Sequence, residues 1–120
     1  MLIKILKSKL HRAKVTEAKV DYPGSIAIDE QLMEAADILP YETVVVADIT
    51  NGSRLQTYAI PAEPGSATIC ILGAAAKLIE KNDTIIVFSF VYCSGEEAKS
   101  IKPKIIRLDE NNRIITADKN

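Results

Sequence analysis

Val44-Val45-Val46-Ala47-Asp48-Ile49 leads through Thr50 into Asn51-Gly52-Ser53, and Leu55-Gln56-Thr57-Tyr58-Ala59-Ile60 follows. A β-branched run, an Asn-Gly pair and a second apolar-alternating run make the strongest short hairpin signal in the chain. Asn and Gly both tolerate the positive φ that a tight hairpin turn demands. Pro61 and Pro64-Gly65 are expected to end the returning strand.

The same pattern of short strands and turn signals extends both ways. Residues 2–7 and 12–20 each read as a strand. Asp29 reads as the N-cap of a short helix that turns Leu32, Met33 and Ala36 inward. Ala67 to Ile71 is a further strand, running into Gly73-Ala74-Ala75-Ala76 and a short helix through Ile79. Thr84 to Tyr92 is the most apolar run, rich in β-branched and aromatic residues, and reads as a buried strand after a turn at Asn82-Asp83. Ser94-Gly95-Glu96-Glu97 fits a capping box, and Pro103 stops the helix it opens. Lys104 to Leu108 and Arg113 to Ala117 flank a connection at residues 109–112. Six to eight strands with about three helical turns predict a mainly-β chain, and a small closed barrel protects strand edges best at this size.

At 120 residues the chain is one domain, 1–120. Its formal net charge of −1 gives no pull toward nucleic acid or an anionic membrane surface. Lys4, Lys7, Lys9, Arg12 and Lys14 crowd one region, a cluster that acidic residues elsewhere balance. Cys70 and Cys93 lie in apolar segments and read as buried thiols in a reducing compartment. One histidine and two distant cysteines are too few for a zinc or haem site, so no metal is expected. No stretch approaches the ~20 apolar residues of a membrane span, and Met1-Leu2-Ile3-Lys4 does not resemble a secretory signal. A cytoplasmic location is the expectation.

Several residues could carry chemistry. Tyr22-Pro23-Gly24-Ser25 has proline then glycine at the centre of a turn, which predicts a type II turn with positive φ at Gly24. The Ser25 hydroxyl then sits beside the carbonyl on its own amino side, where it can attack given a base and oxyanion donors; the alternative is an ordinary surface turn. Lys9 and His11, two apart, share one face of a strand. Arg54 and Tyr58 do so on the returning hairpin strand, with Thr57 facing the other way. Arg54 suits a carboxylate through its planar fork, and Tyr58 can deliver a proton or pack as an aromatic on the sheet. Gly73-Ala74-Ala75 offers backbone N–H groups with little bulk, for an anion or for close helix–strand packing.

Four segments in one order resemble the bacterial aspartate α-decarboxylase family: Lys9-Leu10-His11-Arg12-Ala13, Tyr22-Pro23-Gly24-Ser25-Ile26-Ala27-Ile28-Asp29, Asn51-Gly52-Ser53-Arg54 with Thr57-Tyr58, and Gly73-Ala74-Ala75-Ala76. The resemblance covers nearly the whole chain. It implies a double-psi β-barrel with a few short helices, and a homotetramer with active sites between subunits. It implies self-cleavage at Gly24-Ser25 into residues 1–24 (β chain) and 25–120 (α chain), with Thr57 assisting at the scissile carbonyl. The cofactor it implies is a covalent pyruvoyl group derived from Ser25, with no metal and no pyridoxal phosphate. That ketone forms a Schiff base with L-aspartate, which leaves as β-alanine and CO₂ for pantothenate and coenzyme A biosynthesis. The resemblance puts Arg54 and Lys9 on substrate carboxylate and makes Tyr58 the proton donor. Gly73, Ala74, Ala75 and Thr57 hold substrate, and His11 and Tyr22 support the site.

Leu72 departs from the family, which commonly has asparagine before the glycine. A leucine offers no hydrogen bond where that amide would. The departure keeps two other readings in view: a barrel that never matures and serves as a binding or regulatory module, and a pyruvoyl decarboxylase of another acidic amino acid. Some family members mature with an acetyltransferase-like accessory protein and others without one.

Overall fold

The computed structural model describes residues 1–119, with side chains through residue 115. Among the described residues, nine strands form in chain order: β1 (Leu2–Lys14), β2 (Glu17–Lys19), β3 (Ser25–Asp29), β4 (Thr43–Asp48), β5 (Arg54–Ala62), β6 (Ile69–Leu72), β7 (Thr84–Ser94), β8 (Lys104–Leu108) and β9 (Ile114–Lys119). Two short helices, α1 (Glu30–Ala35) and α2 (Gly95–Ala98), and a 3-10 helix (Gly73–Lys77) lie between them. The chain is mainly β, as its turn signals predict.

The strands pair in the order β2-β6-β3-β5-β4-β7-β1-β8-β9. The hairpins are antiparallel, whereas β1 with β8, β2 with β6 and β3 with β5 are parallel. Alternate side chains meet in one core. Leu10, Ile26, Ile28, Ile69, Ile85 and Val87 are fully buried there, each contributing about 1.5–3 kcal/mol of burial free energy.

Local signals that depend on few residues are met. Asp29 caps α1, accepting from Gln31 N–H at 2.9 Å. It also accepts from Gly65 N–H (3.0 Å) and Ala67 N–H (2.8 Å), so one buried carboxylate fixes the end of β3. Ser94 and Glu97 form the capping box of α2. Both cysteines are free and buried.

Other expectations are corrected. Residues 2–7 and 12–20 do not form two strands; β1 runs unbroken from Leu2 to Lys14. Register shifts at Leu6/Ser8 and His11/Ala13, with Arg12 at φ 66, absorb the mismatch with β7 as bulges. Pro61 does not end β5. Ala59 N–H donates to Glu42 O on the β4 side, and two residues on Pro61 faces that same side where β4 no longer runs, so its missing N–H leaves no gap. β7 is buried on one face only: Ile85, Val87 and Ser89 point in, while Phe88 and Phe90 are half-exposed.

The β4–β5 turn is tied to the turn before β7. Asp48 Oδ1 accepts from Thr50 and Asn51 N–H (2.7 and 3.2 Å), and Asp83 Oδ2 accepts from Glu80 N–H (3.0 Å). Asp48 Oδ2 has no other partner and faces Asp83. Burial first, then hydrogen bonding and repulsion from Asp83, push the Asp48 carboxyl above its ordinary range. The folded state therefore holds this proton more tightly than the unfolded chain. Its contribution is greatest in acid and is lost as pH rises from the ordinary aspartate value, about 4, through the folded one. Asp48→Asn turns an amide N–H toward Asp83 and removes the ionisation. Thermal melting should place the variant above wild type at pH 8, with the gap closing toward pH 4; equal gaps at both pH values contradict the coupling.

Candidate active site

Ser25 opens β3 and is 4% exposed. It pairs with Leu72 in the antiparallel ladder to β6. On its other side β3 runs parallel to β5 with Ile26 opposite Ala59. Continued by one residue, that register sets Ser25 beside Tyr58 and Gly24 beside Thr57.

Gly24 is not the left-handed residue that Pro-Gly predicts. Positive φ among glycines occurs at Gly52, Gly65 and Gly73, and residues 20–24 bend without a hydrogen-bonded turn. Pairing of Ser25 with Leu72 draws the chain straight toward β3, and the left-handed conformation falls on the opposite segment. Gly73 has φ +86, and a Cβ there would lie 2.6 Å from Gly24 Cα and 2.9 Å from both Gly24 N and Tyr22 O. These are backbone atoms that cannot swing aside. The close-packing alternative for Gly73 is therefore the observed one, and what it packs against is the Gly24 backbone.

A cavity of about 450 Å³ adjoins this contact. Gly24, Thr57, Tyr58, Leu72, Ala74 and Ala75 line it, so residues from β5 and β6 and the start of the 3-10 helix converge there. Tyr58 is 36% exposed, and Tyr41 packs on it with ring centres 6.3 Å apart. Tyr41 holds φ 69 in a loop and had no sequence signal. The Tyr22 ring lies outward under Lys19 Nζ at 5.5 Å, and only its carbonyl borders Gly73.

Lys9, His11 and Arg54 gather elsewhere. β5 alternates as expected, with Arg54, Gln56 and Tyr58 exposed and Leu55 and Thr57 half-buried. Arg54 is opposite Ala47 on β4, and its guanidinium reaches beyond β4 to the Phe88 ring on β7, Cζ 5.0 Å from the centre. Lys9, opposite Phe88 on β1, brings Nζ to 5.9 Å from the same ring. His11 shares this face, with Nδ1 buried and unpartnered. Burial first, then Lys9, Arg107 and Arg12, hold its pKa below the ordinary histidine value, so the imidazole is neutral at pH 7.

Within one chain the candidate residues thus fall into two groups. One surrounds the Gly24-Ser25 bond; the other presents two cations on the outer face of the sheet. Arg54 lies four residues from Tyr58, roughly 13 Å along the strand, and leans away from β3. Among the described residues, no group of three or more His, Cys, Asp or Glu could hold a metal ion, and no helix is long and apolar enough to cross a membrane.

A nearly buried serine heads a strand beside a left-handed glycine in this mainly-β chain, and a cationic face lies apart from it. The sequence profile of the family described as aspartate decarboxylase matches residues 1–115. The chain is 57% identical over 109 residues to the aspartate 1-decarboxylase of Thermoanaerobacter pseudethanolicus, covering 91% of this chain and 93% of that one. It is 53% identical to the aspartate 1-decarboxylase of Caldicellulosiruptor saccharolyticus (96% and 90% covered) and 53% identical to that of Caulobacter vibrioides (95% and 97%). The chain belongs to the aspartate decarboxylase family.

Proposed function

We propose that this chain converts L-aspartate to β-alanine and CO₂ for pantothenate biosynthesis, after cutting its own backbone between Gly24 and Ser25. Family membership supports the reaction. The observation that carries the cut in this chain is the Gly73–Gly24 backbone contact beside a nearly buried Ser25.

In the first step Ser25 Oγ gives up its proton and attacks the Gly24 carbonyl carbon. The Gly24–Ser25 C–N bond breaks, the nitrogen takes a proton, and Gly24 becomes an ester on Oγ. Loss of the Ser25 Cα proton expels the Gly24 carboxylate. Water then replaces the nitrogen of the resulting dehydroalanine, releasing ammonia and leaving a pyruvoyl terminus. Thr57, beside Gly24 in register, is the hydroxyl suited to polarise the scissile carbonyl. The surroundings fit so small a group: Ala74 and Ala75 carry only methyls where the cavity meets Gly24.

When present, the pyruvoyl ketone supplies the electron sink that a carbanion beside an amine requires. This chain's own residues do the rest. Arg54 offers its fork to a substrate carboxylate and Lys9 a second positive charge. Tyr58, alongside residue 25 in the extended register, would return a proton to carbon. His11, neutral, lies among the cations and lowers their mutual repulsion relative to an imidazolium.

The separation of the two halves supports assembly from more than one copy. The outer face with Lys9, Arg54, Phe88 and Phe90 of one subunit would meet the Ser25 region of another, in a cytoplasmic homotetramer. Size-exclusion chromatography with light scattering reports that state directly.

Leu72 lines the cavity beside Gly24 without a donor. Leu72→Asn should therefore accelerate cleavage, by up to about a hundredfold for one well-placed donor, read as the half-time of two-fragment formation on a denaturing gel. An unchanged half-time means that another group already meets the oxyanion. The overall proposal is tested by incubating purified protein with L-aspartate and with L-glutamate. Release of CO₂ and β-alanine from aspartate supports it; no release from aspartate, or preferred turnover of glutamate, overturns it.

A further inference from the structure

Lys9 and Arg54 come from strands three apart in the sheet, β1 and β5, yet they share one aromatic ring. Phe88 stands on β7 directly opposite Lys9 and, on its other side, opposite Val45 of β4. To reach Phe88 from β5, Arg54 must cross β4 next to its own partner Ala47, whose single methyl leaves that path open. Lys9 Nζ and Arg54 Cζ end 5.9 and 5.0 Å from the ring centre. Neither cation has a carboxylate partner among the described residues. Phe90 stacks beside Phe88, centres 6.3 Å apart and planes 16° apart, and so braces the ring.

Two unpaired cations repel each other, and flexible lysine and arginine side chains would ordinarily part into solvent. The negative π face of a braced ring attracts both. We propose that Phe88 is a positioning residue for substrate: its ring holds the Lys9 ammonium and the Arg54 guanidinium together, ready for a dicarboxylate. The role rests on the reading of Lys9 and Arg54 as carboxylate-binding groups. Phe88 acts through those two side chains, on a face of its own chain apart from Gly24 and Ser25.

The ring's charge distribution can be varied with little change of shape. Replacing Phe88 with mono-, di- and trifluorinated phenylalanines drains the π face stepwise while the side chain still fills the same space. Two quantities are read on the assembled, cleaved protein: KM and kcat for L-aspartate, and the Kd of succinate, an unreactive four-carbon dicarboxylate. The expected result is a progressive rise in KM and in succinate Kd, reaching about five- to tenfold, with kcat within twofold of wild type. Phe88→Trp, with the strongest π face, should retain wild-type values, whereas Phe88→Leu should match the most fluorinated ring. A flat fluorination series, or a fall in kcat at constant KM, overturns the role. Succinate Kd values that rise across the fluorinated series, with wild-type protein releasing no CO₂ from aspartate, would instead remove the decarboxylase reading and leave Phe88's role standing.

Discussion

Ser25→Ala is expected to leave the chain in one piece and without any decarboxylation of L-aspartate. The substitution deletes one oxygen from a residue that is 4% exposed at the head of β3. The backbone pairing of Ser25 with Leu72 does not involve that atom, so the fold should persist, with a melting temperature close to wild type. Without Oγ nothing stands next to the Gly24 carbonyl that can become its ester, and no later step can produce a ketone. The loss should therefore be complete in both processing and turnover, unlike the graded losses expected when a donor or an orienting group is removed. Fragments formed by the alanine variant, or CO₂ released by it, would contradict the assignment of Ser25.

Gly73→Ala should have the next largest effect, at a residue with no side chain to do chemistry. Its new Cβ would lie 2.6 Å from Gly24 Cα and 2.9 Å from Gly24 N and Tyr22 O, all of them backbone. The φ of +86 adds about 1–2 kcal/mol for an L-residue with a Cβ. Relief comes only from moving residues 22–24 away from the 3-10 helix. That shift displaces the scissile carbonyl from Ser25 and Thr57, and an error on the order of 1 Å in such alignment costs about a hundredfold in rate. The variant should melt lower than wild type and remain mostly uncleaved after wild type has finished. Cleavage at the wild-type rate would mean that the Gly73–Gly24 contact does not set the geometry of the bond. A methyl at Gly24 itself would meet only Leu72 O, at 4.0 Å, so the tight steric demand lies on Gly73.

The contrast between these two glycines marks how far the sequence could be read. Pro23-Gly24 carried a local turn signal, yet the φ of Gly24 is decided by the pairing of Ser25 with Leu72, 47 positions away. Signals whose partners lie within a few residues held: Asn51-Gly52 as a hairpin turn, Asp29 as a cap for Gln31, Ser94 with Glu97 as a capping box. The one-face placement of Lys9 with His11 and of Arg54 with Tyr58 follows from strand alternation alone, and the structure keeps both. What alternation cannot supply is which strands become neighbours. The parallel pairing of β3 with β5, which sets Tyr58 beside Ser25, joins segments through two intervening elements. The sharing of Phe88 by Lys9 and Arg54 needs the order β5-β4-β7-β1, and in the sequence Phe88 is only one member of an apolar run. The bulges that keep β1 continuous are likewise a response to β7 and left no mark that residues 2–20 show on their own.

Intact mass spectrometry of the purified protein under denaturing conditions bears most directly on all of this. Two species are expected, one of residues 1–24 ending in a free carboxylate and one of residues 25–120 whose amino end is a keto acyl group that reacts with a carbonyl reagent such as a hydroxylamine. A single species with the mass of all 120 residues, inert to that reagent after long incubation, would contradict it.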